Sequence, residues 1–301
     1  MPVNFTYLIL IIFMIFAQAS KAVTYPLPVD GSRLVGKSVV HHVGKGDYFQ
    51  AIAEKYNVGF LALMAANPGI DPFLPPANSS LVIPSQLLLP YLNNYQGIVI
   101  NLPELRLFYF HPDSKAVSVF PIGIGKHELP TPRTVSYISE KTINPIWRPS
   151  LAMRERYLAQ HGVELAKEIP PGKNNPFGKY ALRLGQSEYL IHGSNQRFGI
   201  GMRASSGCIR MYDADIEWLY ENVGLQTPVR VIDQPVKMSY EPNGARLIEL
   251  HRPLANNAKQ QEDIFVTDVI KRFIGDDKAR WQAITPEINQ PKGLVIKLLM
   301  H

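Results

Sequence analysis

The spacing of hydrophobic side chains changes along the chain and divides it into a part-helical stretch and a longer stretch of strands. Between residues 47 and 66, apolar side chains recur every three to four positions, which is the period of an amphipathic helix. From residue 97 onward they recur at every second position, which is the period of a half-buried strand. The first alternating positions are Ile98, Ile100, Leu105, Leu107 and Tyr109. The sequence therefore predicts a small unit that contains helices, followed by a β-rich unit.

Residues 38–84 are predicted to form the small unit, in the order strand, helix, helix, strand. The first strand covers residues 39–43 and ends at a Gly-Lys-Gly-Asp turn. A first helix follows the turn, a second is predicted over residues 60–66, and a closing strand over residues 80–83. This is a βααβ arrangement.

Two polar features of the small unit carry their own expectations. Asp47 is predicted to cap the first helix, with Gln50 three positions later as its capping-box partner. His41 and His42 lie on the first strand with no partner at metal-ligand spacing, so we expect both to be exposed.

Residues 97–232 are predicted to form the β-rich unit, and a linker over residues 87–94 joins it to the small one. Its further strands are predicted over residues 117–124, 134–138, 180–184, 188–191 and 229–232, and its helices over residues 152–160 and 213–223. The fold class is therefore mixed but mainly β, with a β-sandwich-like larger unit behind a small βααβ unit.

Residues 233–301 are expected to form a C-terminal extension. Glu-Pro-Asn-Gly at residues 241–244 signals a hairpin. Residues 264–274 have the pattern of an amphipathic helix whose apolar side is typical of a packing face. We assign no function to residues 276–301.

The charge of the chain narrows the choice of partners. The formal net charge is +6 over 301 residues, and the basic residues form no run and no repeat with aromatic residues. A nucleic-acid partner is therefore not expected. A mildly basic surface is better suited to weak, screened attraction to an anionic polymer.

The first residues predict export. Tyr7 to Phe16 is a continuous apolar run, too short to cross a bilayer comfortably, and small residues follow it. We expect a signal peptide over residues 1–22, cleaved after Ala22. No Lys or Arg precedes Tyr7, so an uncleaved anchor is the alternative.

The single cysteine gives the chain its candidate chemistry. Cys208 lies sixteen positions after His192 in a segment rich in Gly, Ser and Arg. A lone cysteine in an exported protein forms no internal disulfide, so it is either buried and inert or free and reactive.

The neighbours of Cys208 favour a nucleophile. It lies on a predicted tight turn just before a helix, where backbone N–H groups are unspent. Arg210 and a protonated His192 are expected to lower the thiol pKa, with His192 as proton acceptor and later donor. The N–H groups of Ser206, Gly207 and Cys208 are expected to form an oxyanion hole, and a Cβ at Gly207 would obstruct the carbonyl that approaches it.

These residues resemble the catalytic domain of the L,D-transpeptidases (YkuD type) over roughly residues 97–232. The resemblance is carried by His192-Gly193-Ser194-Asn195, by Ser205-Ser206-Gly207-Cys208-Ile209-Arg210, and upstream by Pro121-Ile122-Gly123-Ile124-Gly125 and Thr131-Pro132. Ser206 stands where many relatives have histidine, which leaves the nucleophile, base and backbone donors in place.

The small unit resembles a LysM module, a fold that binds N-acetylglucosamine-containing glycans. The matching positions are Gly46-Asp47, Ile52-Ala53, Tyr56, Leu63, Ala66-Asn67-Pro68, Leu81 and Ile83-Pro84. The glycan-binding residues that the resemblance implies are Gly46, Asp47, Tyr48, Asn67 and Pro68. Tyr48 stands where the family has a small hydroxyl residue, and a module that only packs is the alternative.

The combined resemblance implies a periplasmic enzyme of the kind that attaches an outer-membrane lipoprotein to peptidoglycan. Cys208 would attack the meso-diaminopimelate carbonyl of a stem tetrapeptide, expel D-Ala and hold a thioester. A lipoprotein lysine or a second diaminopimelate would then attack that thioester. The resemblance also implies that the main-chain carbonyl of Gly193 orients His192, without an acidic third member, and it implies no metal and no cofactor.

The roles of the flanking polar residues stay open. Arg203 and Arg210 either hold a substrate carboxylate, which suits a guanidinium fork, or form a salt bridge or a loop contact within the protein. Ser194 and Asn195 either contact substrate or close a turn. Two other functions also remain: a hydrolase on the same scaffold, acting as carboxypeptidase or amidase, and a wall-binding protein without activity.

Overall fold

The computed structural model describes residues 22–254 and 263–298. The strands are β1 (Val23–Pro26), β2 (Leu34–Val35), β3 (Val39–His42), β4 (Ser80–Ile83), β5 (Leu87–Leu88), β6 (Gly97–Asn101), β7 (Arg106–Phe110), β8 (Ala116–Pro121), β9 (Ile124–Gly125), β10 (Thr134–Ile143), β11 (Tyr180–Leu184), β12 (Leu190–His192), β13 (Arg203–Ser205), β14 (Ile209–Arg210), β15 (Pro228–Ile232), β16 (Val236–Tyr240), β17 (Arg246–Leu250) and β18 (Val295–Leu298). The helices are α1 (Phe49–Lys55), α2 (Phe60–Ala66), α3 (Leu151–His161), α4 (Asp213–Asn222), α5 (Asp268–Ile274) and α6 (Lys278–Asn289), and residues 197–199 form a 3₁₀ turn. The fold is mainly β, as predicted.

The N-terminal unit (residues 38–84) has the predicted strand-helix-helix-strand order. Strands β3 and β4 pair antiparallel, and α1 and α2 lie between them in the chain. The apolar positions that recur at helical spacing meet in one core, where Phe49, Ile52, Leu63, Leu81 and Ile83 are at most 1% exposed. The period of the sequence therefore places this core correctly.

The expectations for Asp47 and His41 in this unit are wrong, for one shared reason. Tyr48, not Asp47, occupies the N-cap position of α1, and no side chain caps that helix. The Asp47 carboxylate instead accepts the Gly44 N–H at 2.8 Å and lies 2.9 Å from His41 Nε2. His41 is consequently buried and not exposed, whereas His42 is exposed as expected.

A nine-stranded sheet forms the centre of the molecule. Its strand order is β1-β8-β7-β6-β15-β10-β11-β12-β14, and the pairs β6–β15 and β12–β14 are parallel. One face packs on helix α4 through Ile216 and Leu219. We call residues 97–232, which contain most of this sheet, the central unit.

Strands β6 and β7 are buried on both faces, although their alternating pattern predicts half-buried strands. Ile98 and Leu107 belong to the core beneath α4, while Val99 and Phe108 belong to a second core on the opposite face. Leu87 helps to cover this second face. The predicted linker over residues 87–94 therefore begins as a strand, β5, which pairs with β2.

The C-terminal unit (residues 233–298) is a three-stranded sheet, β16-β17-β18, packed against α5 and α6. The predicted hairpin at residues 241–244 joins β16 to β17. The predicted helix over 264–274 begins only at Asp268, because the Thr267 hydroxyl caps it by accepting the Ile270 N–H. Phe265, inside the predicted helix, is 82% exposed.

A buried ionic cluster joins the central and C-terminal units. Lys237 Nζ lies 2.8 Å from a Glu104 oxygen and 3.0 Å from a Glu249 oxygen, and all three side chains are fully buried. Arg106 and His251 complete the cluster at 3.2 Å and 2.7 Å from Glu249. Burial alone would raise the pKa of Glu249, but the Lys237 ammonium and His251 outweigh it and hold that pKa well below its ordinary value.

The N-terminal unit rests on the central unit through a loop that follows His192. Gln50 Nε2 donates to the Tyr212 hydroxyl at 3.1 Å, and the Leu61 N–H donates to the Gly201 carbonyl at 3.2 Å. A Cβ at Gly201 would lie 2.4 Å from Gly59 Cα, so the two backbones meet directly. The boundary between the units is therefore a packed interface.

Among the described residues, no helix combines the length and the apolar character needed to cross a membrane. Residues 1–21 of the predicted signal peptide lie outside the described residues.

Candidate active site

Two neighbouring parallel strands place His192 and Cys208 in the same part of the sheet. Strand β12 ends at His192, and β14 begins directly after Cys208, with His192 opposite Arg210 in the register. The preceding pair, Ile191 and Ile209, points into the core and is fully buried. Because side chains alternate along a strand, His192 and Arg210 share the opposite face, and Cys208 precedes Arg210 by two positions. The strand pairing thus places Cys208 and His192 near each other in the sheet, which their separation of sixteen residues in the sequence does not show.

His192 is held as a neutral imidazole. Its Nδ1 lies 2.6 Å from the Gly193 carbonyl oxygen, and its ring centroid lies 4.6 Å from that of Phe177. Burial lowers the pKa of His192 to about 3, since it outweighs the Gly193 bond, and Arg210 lowers the pKa further. A carbonyl only accepts hydrogen bonds, so Nδ1 carries the proton and Nε2 is left as the basic nitrogen.

The expectation that a protonated His192 lowers the pKa of Cys208 is therefore wrong for the resting protein. Burial raises the pKa of the Cys208 thiol, and it outweighs a backbone hydrogen bond from Leu190 and the Arg210 charge, which both lower that pKa. The sulfur lies 4.0 Å from the Glu188 carbonyl oxygen. The resting state is thus a Cys208 thiol and a neutral His192 imidazole, and no hydrogen bond joins the two among the described residues.

The turn before Cys208 is tied together by one hydroxyl. Ser205 Oγ accepts the Gly207 N–H at 3.1 Å and donates to the Cys208 carbonyl at 2.5 Å. The Gly207 N–H is therefore already used, which contradicts its expected place in an oxyanion hole.

On the sequence alone, the glycine at position 207 is explained by the space that a substrate carbonyl needs, but the structure offers a reason within the protein. Gly207 has a φ of +109°, and a Cβ there would lie 2.8 Å from a Tyr189 ring carbon. Backbone conformation and the Tyr189 ring, both inside the protein, explain the glycine.

The upstream motif supports the same turn from beneath. Thr131 Oγ1 donates to the Gly207 carbonyl at 2.8 Å and accepts the Gly125 N–H at 2.9 Å. Gly125 and Thr131 are thus part of the scaffold under the turn that carries Cys208.

An acidic residue that sequence reasoning missed lies next to the histidine loop. The Asp213 carboxylate accepts the Ser194 N–H at 3.2 Å. Burial raises the pKa of Asp213, against the lowering effect of that hydrogen bond. Asp213 is the first residue of α4, only five positions after Cys208, and its place in the first helical turn was the available signal.

The two arginines named from the sequence keep unused donors. Neither Arg203 nor Arg210 forms an ion pair within residues 22–254 and 263–298, and the Nε of each is buried without a hydrogen-bond partner. Arg210 Nη1 contacts Gln196 Oε1 at 3.3 Å. The described part of the chain therefore contains no salt bridge of either arginine, while the contact of Arg210 with Gln196 is the loop contact of the second alternative.

The polar residues after Gly193 make loop contacts. Ser194 Oγ accepts the Gln196 N–H at 3.0 Å, and Asn195 Nδ2 donates to the Lys173 carbonyl at 3.0 Å. Ser194 therefore closes a turn, whereas Asn195 joins two loops, and contact of either residue with substrate stays a prediction.

The residues implied for glycan binding are spread over two environments. Asn67 is buried, and its amide is spent on the Leu63 carbonyl and on both backbone groups of Val82. Gly46 and Pro68 are exposed, while the Tyr48 hydroxyl accepts from Arg197 Nη2 at 3.3 Å. Tyr48 thus contacts the central unit.

Comparison with protein families agrees with this architecture. The chain matches the L,D-transpeptidase catalytic domain over residues 95–231, the LysM domain over residues 41–84, and the L,D-transpeptidase C-terminal domain over residues 235–298. The last match covers the predicted C-terminal extension, including residues 276–298, to which the sequence assigned no function.

Three curated proteins of Escherichia coli (strain K12) are similar over most of the chain. The probable L,D-transpeptidase YcfS is 52% identical over 79% of this chain and 76% of its own length. The probable L,D-transpeptidases ErfK/SrfK and YbiS are each 40% identical, over 95% and 94% of this chain and 94% of their own lengths.

Proposed function

The chain belongs to the L,D-transpeptidase family, and from that membership we propose that it transfers acyl groups of peptidoglycan stem tetrapeptides through a thioester on Cys208. Membership of the family makes the chain an enzyme of this class. We propose, beyond that, the thioester intermediate, the acceptor amine and the compartment in which the protein acts. The observation that carries it is the neutral His192, whose Nδ1 is held 2.6 Å from the Gly193 carbonyl oxygen beside the strand that follows Cys208.

In the first step, the Cys208 thiol gives its proton to His192 Nε2 as the sulfur attacks the diaminopimelate carbonyl. A C–S bond forms, the peptide bond to D-Ala breaks, and the proton on Nε2 passes to the leaving amine. The thioester then reacts with an acceptor amine, whose proton returns through His192 to the sulfur. A resting thiol suits this sequence because the proton moves only when substrate is present.

The oxyanion of each tetrahedral intermediate needs backbone donors at the turn. Because the Gly207 N–H is bound to Ser205, the donors proposed are the N–H groups of Ser206 and Cys208. The guanidinium groups of Arg203 and Arg210, which form no ion pair among the described residues, are proposed to hold a substrate carboxylate.

Contact with the glycan strand is proposed for the N-terminal unit. A cleft of about 920 Å³ opens between α1 and the segment that begins with β1, and Lys37, Lys55 and Tyr56 line it. Cationic and aromatic side chains suit a polymer that carries sugar rings and carboxylates. Replacing both Lys37 and Lys55 by Glu should weaken sedimentation with wall sacculi, whereas Lys297→Glu, at an exposed position of the C-terminal unit, serves as control.

The chain is proposed to act in the periplasm after cleavage of residues 1–22. Amino-terminal sequencing of the exported protein tests this: a mature chain that begins at Val23 supports it, and a retained apolar run indicates an anchor.

The proposed reaction is tested by incubating the mature protein with disaccharide tetrapeptide and an amine acceptor and weighing the products. Cross-linked or lipoprotein-joined species support transfer, whereas tripeptide alone would replace transfer by hydrolysis. Intact mass after reaction with a carbapenem should show an adduct that Cys208→Ser abolishes. Binding to wall sacculi without any turnover would favour the remaining alternative, a wall-binding protein without activity.

A further inference from the structure

One peptide group lies between the catalytic histidine and an acid. The peptide bond from Gly193 to Ser194 accepts at its carbonyl from His192 Nδ1, at 2.6 Å, and donates at its N–H to Asp213 Oδ1, at 3.2 Å. The C=O and N–H of a trans peptide point in opposite directions, so the imidazole and the carboxylate occupy opposite ends of the same planar group.

Two glycines, Gly193 and Gly178, leave the space that the Asp213 carboxylate occupies. A Cβ at Gly193 would lie 2.5 Å from Asp213 Oδ1, and a Cβ at Gly178 would lie 2.7 Å from it. Both distances are far below a normal contact, so any larger residue at either position would push the carboxylate away. The two glycines come from separate loops, and both leave room for the same oxygen atom.

The core fixes where Asp213 begins its helix. Ile216 and Leu219 of α4 are fully buried in the same core as Ile191, which directly precedes His192. The Met211 N–H also donates to the His192 carbonyl at 2.9 Å. The acid and the base are therefore mounted on one rigid piece of the molecule, and their relative position does not depend on a mobile loop.

We propose that Asp213 is a positioning residue that acts on His192 through the Gly193–Ser194 peptide group. The inference rests on the proposed function of the Cys208–His192 pair. A negative charge at the N–H end polarises the peptide, and chains of hydrogen bonds strengthen one another in a low-dielectric interior. The Gly193 carbonyl becomes a better acceptor, which holds the Nδ1–H tautomer at rest and stabilises the imidazolium during the reaction.

The proton balance leaves Asp213 unchanged. The thiol proton moves to His192 Nε2, the proton on Nδ1 stays in its bond to the Gly193 carbonyl, and the Nε2 proton leaves with the departing amine. Asp213 accepts no proton at any step and touches neither substrate nor sulfur. Its effect is to favour the charged form of the imidazole, the role that an acid in direct contact plays in a serine protease triad.

The test compares Asp213→Asn, which keeps an acceptor oxygen but loses the charge, with Asp213→Ala, which loses both. Glu221→Gln, an exposed position on the same helix, is the control. The maximal rate of carbapenem thioester formation should fall about threefold in the Asn variant and about tenfold in the Ala variant, with the apparent binding constant unchanged. The deficit should shrink at strongly alkaline pH, once the thiol, whose pKa burial raises, ionises without the base.

A second measurement separates positioning from a role in folding. The Nδ1–H proton resonance of His192, identified by its loss in His192→Gln, should move upfield in both Asp213 variants as the hydrogen bond weakens. An Ala variant within about twofold of the parent rate at neutral pH, or a deficit that stays constant across pH in a folded protein, would overturn the inference. An inactive parent would overturn the proposed function, and the resonance would still decide the role of Asp213.

Discussion

Asn57 and Asp215 meet across the boundary between the N-terminal and central units, and each keeps one buried oxygen without a partner. Asn57 Nδ2 donates to Asp215 Oδ1 at 3.3 Å, while Asn57 Oδ1 and Asp215 Oδ2 make no hydrogen bond among the described residues. Protonation of Asp215 would supply the donor that the Asn57 oxygen lacks. Burial raises the pKa of Asp215 to about 7, against the Asn57 hydrogen bond, which lowers it.

The first prediction is that the contribution of Asp215 to the free energy of unfolding falls as pH rises toward neutrality. The folded protein keeps the Asp215 proton up to about pH 7, whereas the unfolded chain loses it near the ordinary value of 3.8. The folded state therefore binds more protons between these values, and the stabilisation, at most about 4 kcal/mol, is present at low pH and lost as pH rises through about 7.

Asp215→Asn mimics the protonated acid and provides the check. The melting temperature of the variant should exceed that of the parent at about pH 8, and the difference should shrink toward about pH 5. Equal pH dependence in parent and variant would show that Asp215 titrates normally in the folded protein.

The second prediction concerns the buried cluster that joins the central and C-terminal units. Lys237→Met leaves Glu104 and Glu249 buried without the ammonium that lies 2.8 and 3.0 Å from them. Removing one partner of a buried ionic group costs about 3–5 kcal/mol, so urea unfolding should begin at clearly lower concentration. Lys271→Met, which breaks the exposed pair with Asp268, should cost less than about 1 kcal/mol. Similar losses in both variants would contradict a special role for the cluster.

The sequence predicted α2 and β11 with the bounds that the structure has, whereas β10 continues to Ile143, beyond its predicted end at residue 138. It erred where a polar side chain had a choice of partners. Asp47 is at a good capping position, but pairing with His41 depends on a strand-to-turn approach that local spacing does not encode.

The same limit applies to the candidate site. Cys208 and His192 could be named from the sequence because their residue types and their flanking glycines are distinctive. Asp213 could not be singled out, because Asp215 shares its place in the first helical turn and the contact with the Ser194 backbone depends on how α4 packs against β12. Buried Asp215, two positions further, has the same residue type and a different environment, so composition alone does not separate them.

The third prediction tests the contact between the two units near the histidine loop. A Cβ at Gly201 would meet the Gly59 Cα at 2.4 Å, so Gly201→Ala should push the N-terminal unit away. Gly162 is the matched control, since its φ of +70° is close to the +73° of Gly201 and nothing lies within 4 Å of its added Cβ. Both variants pay the strain of a positive φ, about 1 kcal/mol, but only Gly201→Ala should speed proteolytic release of the N-terminal unit. Equal release rates for Gly201→Ala and Gly162→Ala would mean that the interface accommodates the added methyl group without separating the two units.

The fourth prediction assigns a measurable role to Ser205. Its hydroxyl joins the Gly207 N–H to the Cys208 carbonyl and so fixes the conformation of the turn that carries the sulfur. Ser205→Ala frees the Gly207 N–H and removes the bond at the Cys208 carbonyl, so the Cys208 N–H and sulfur lose their fixed orientation. The rate of carbapenem thioester formation should fall by about tenfold to a hundredfold, the range expected when a catalytic group is displaced slightly.

Ser187→Ala is the matched control for this variant, because its hydroxyl also donates to a backbone carbonyl three positions away, that of Leu184, but in the hairpin between β11 and β12. Its acylation rate should stay near that of the parent, while thermal melting should show comparable stability for both variants. An unimpaired Ser205→Ala enzyme would mean that Thr131, which binds the Gly207 carbonyl at 2.8 Å, holds the turn without help. In that case Thr131→Val, rather than Ser205→Ala, would be the substitution that slows acylation.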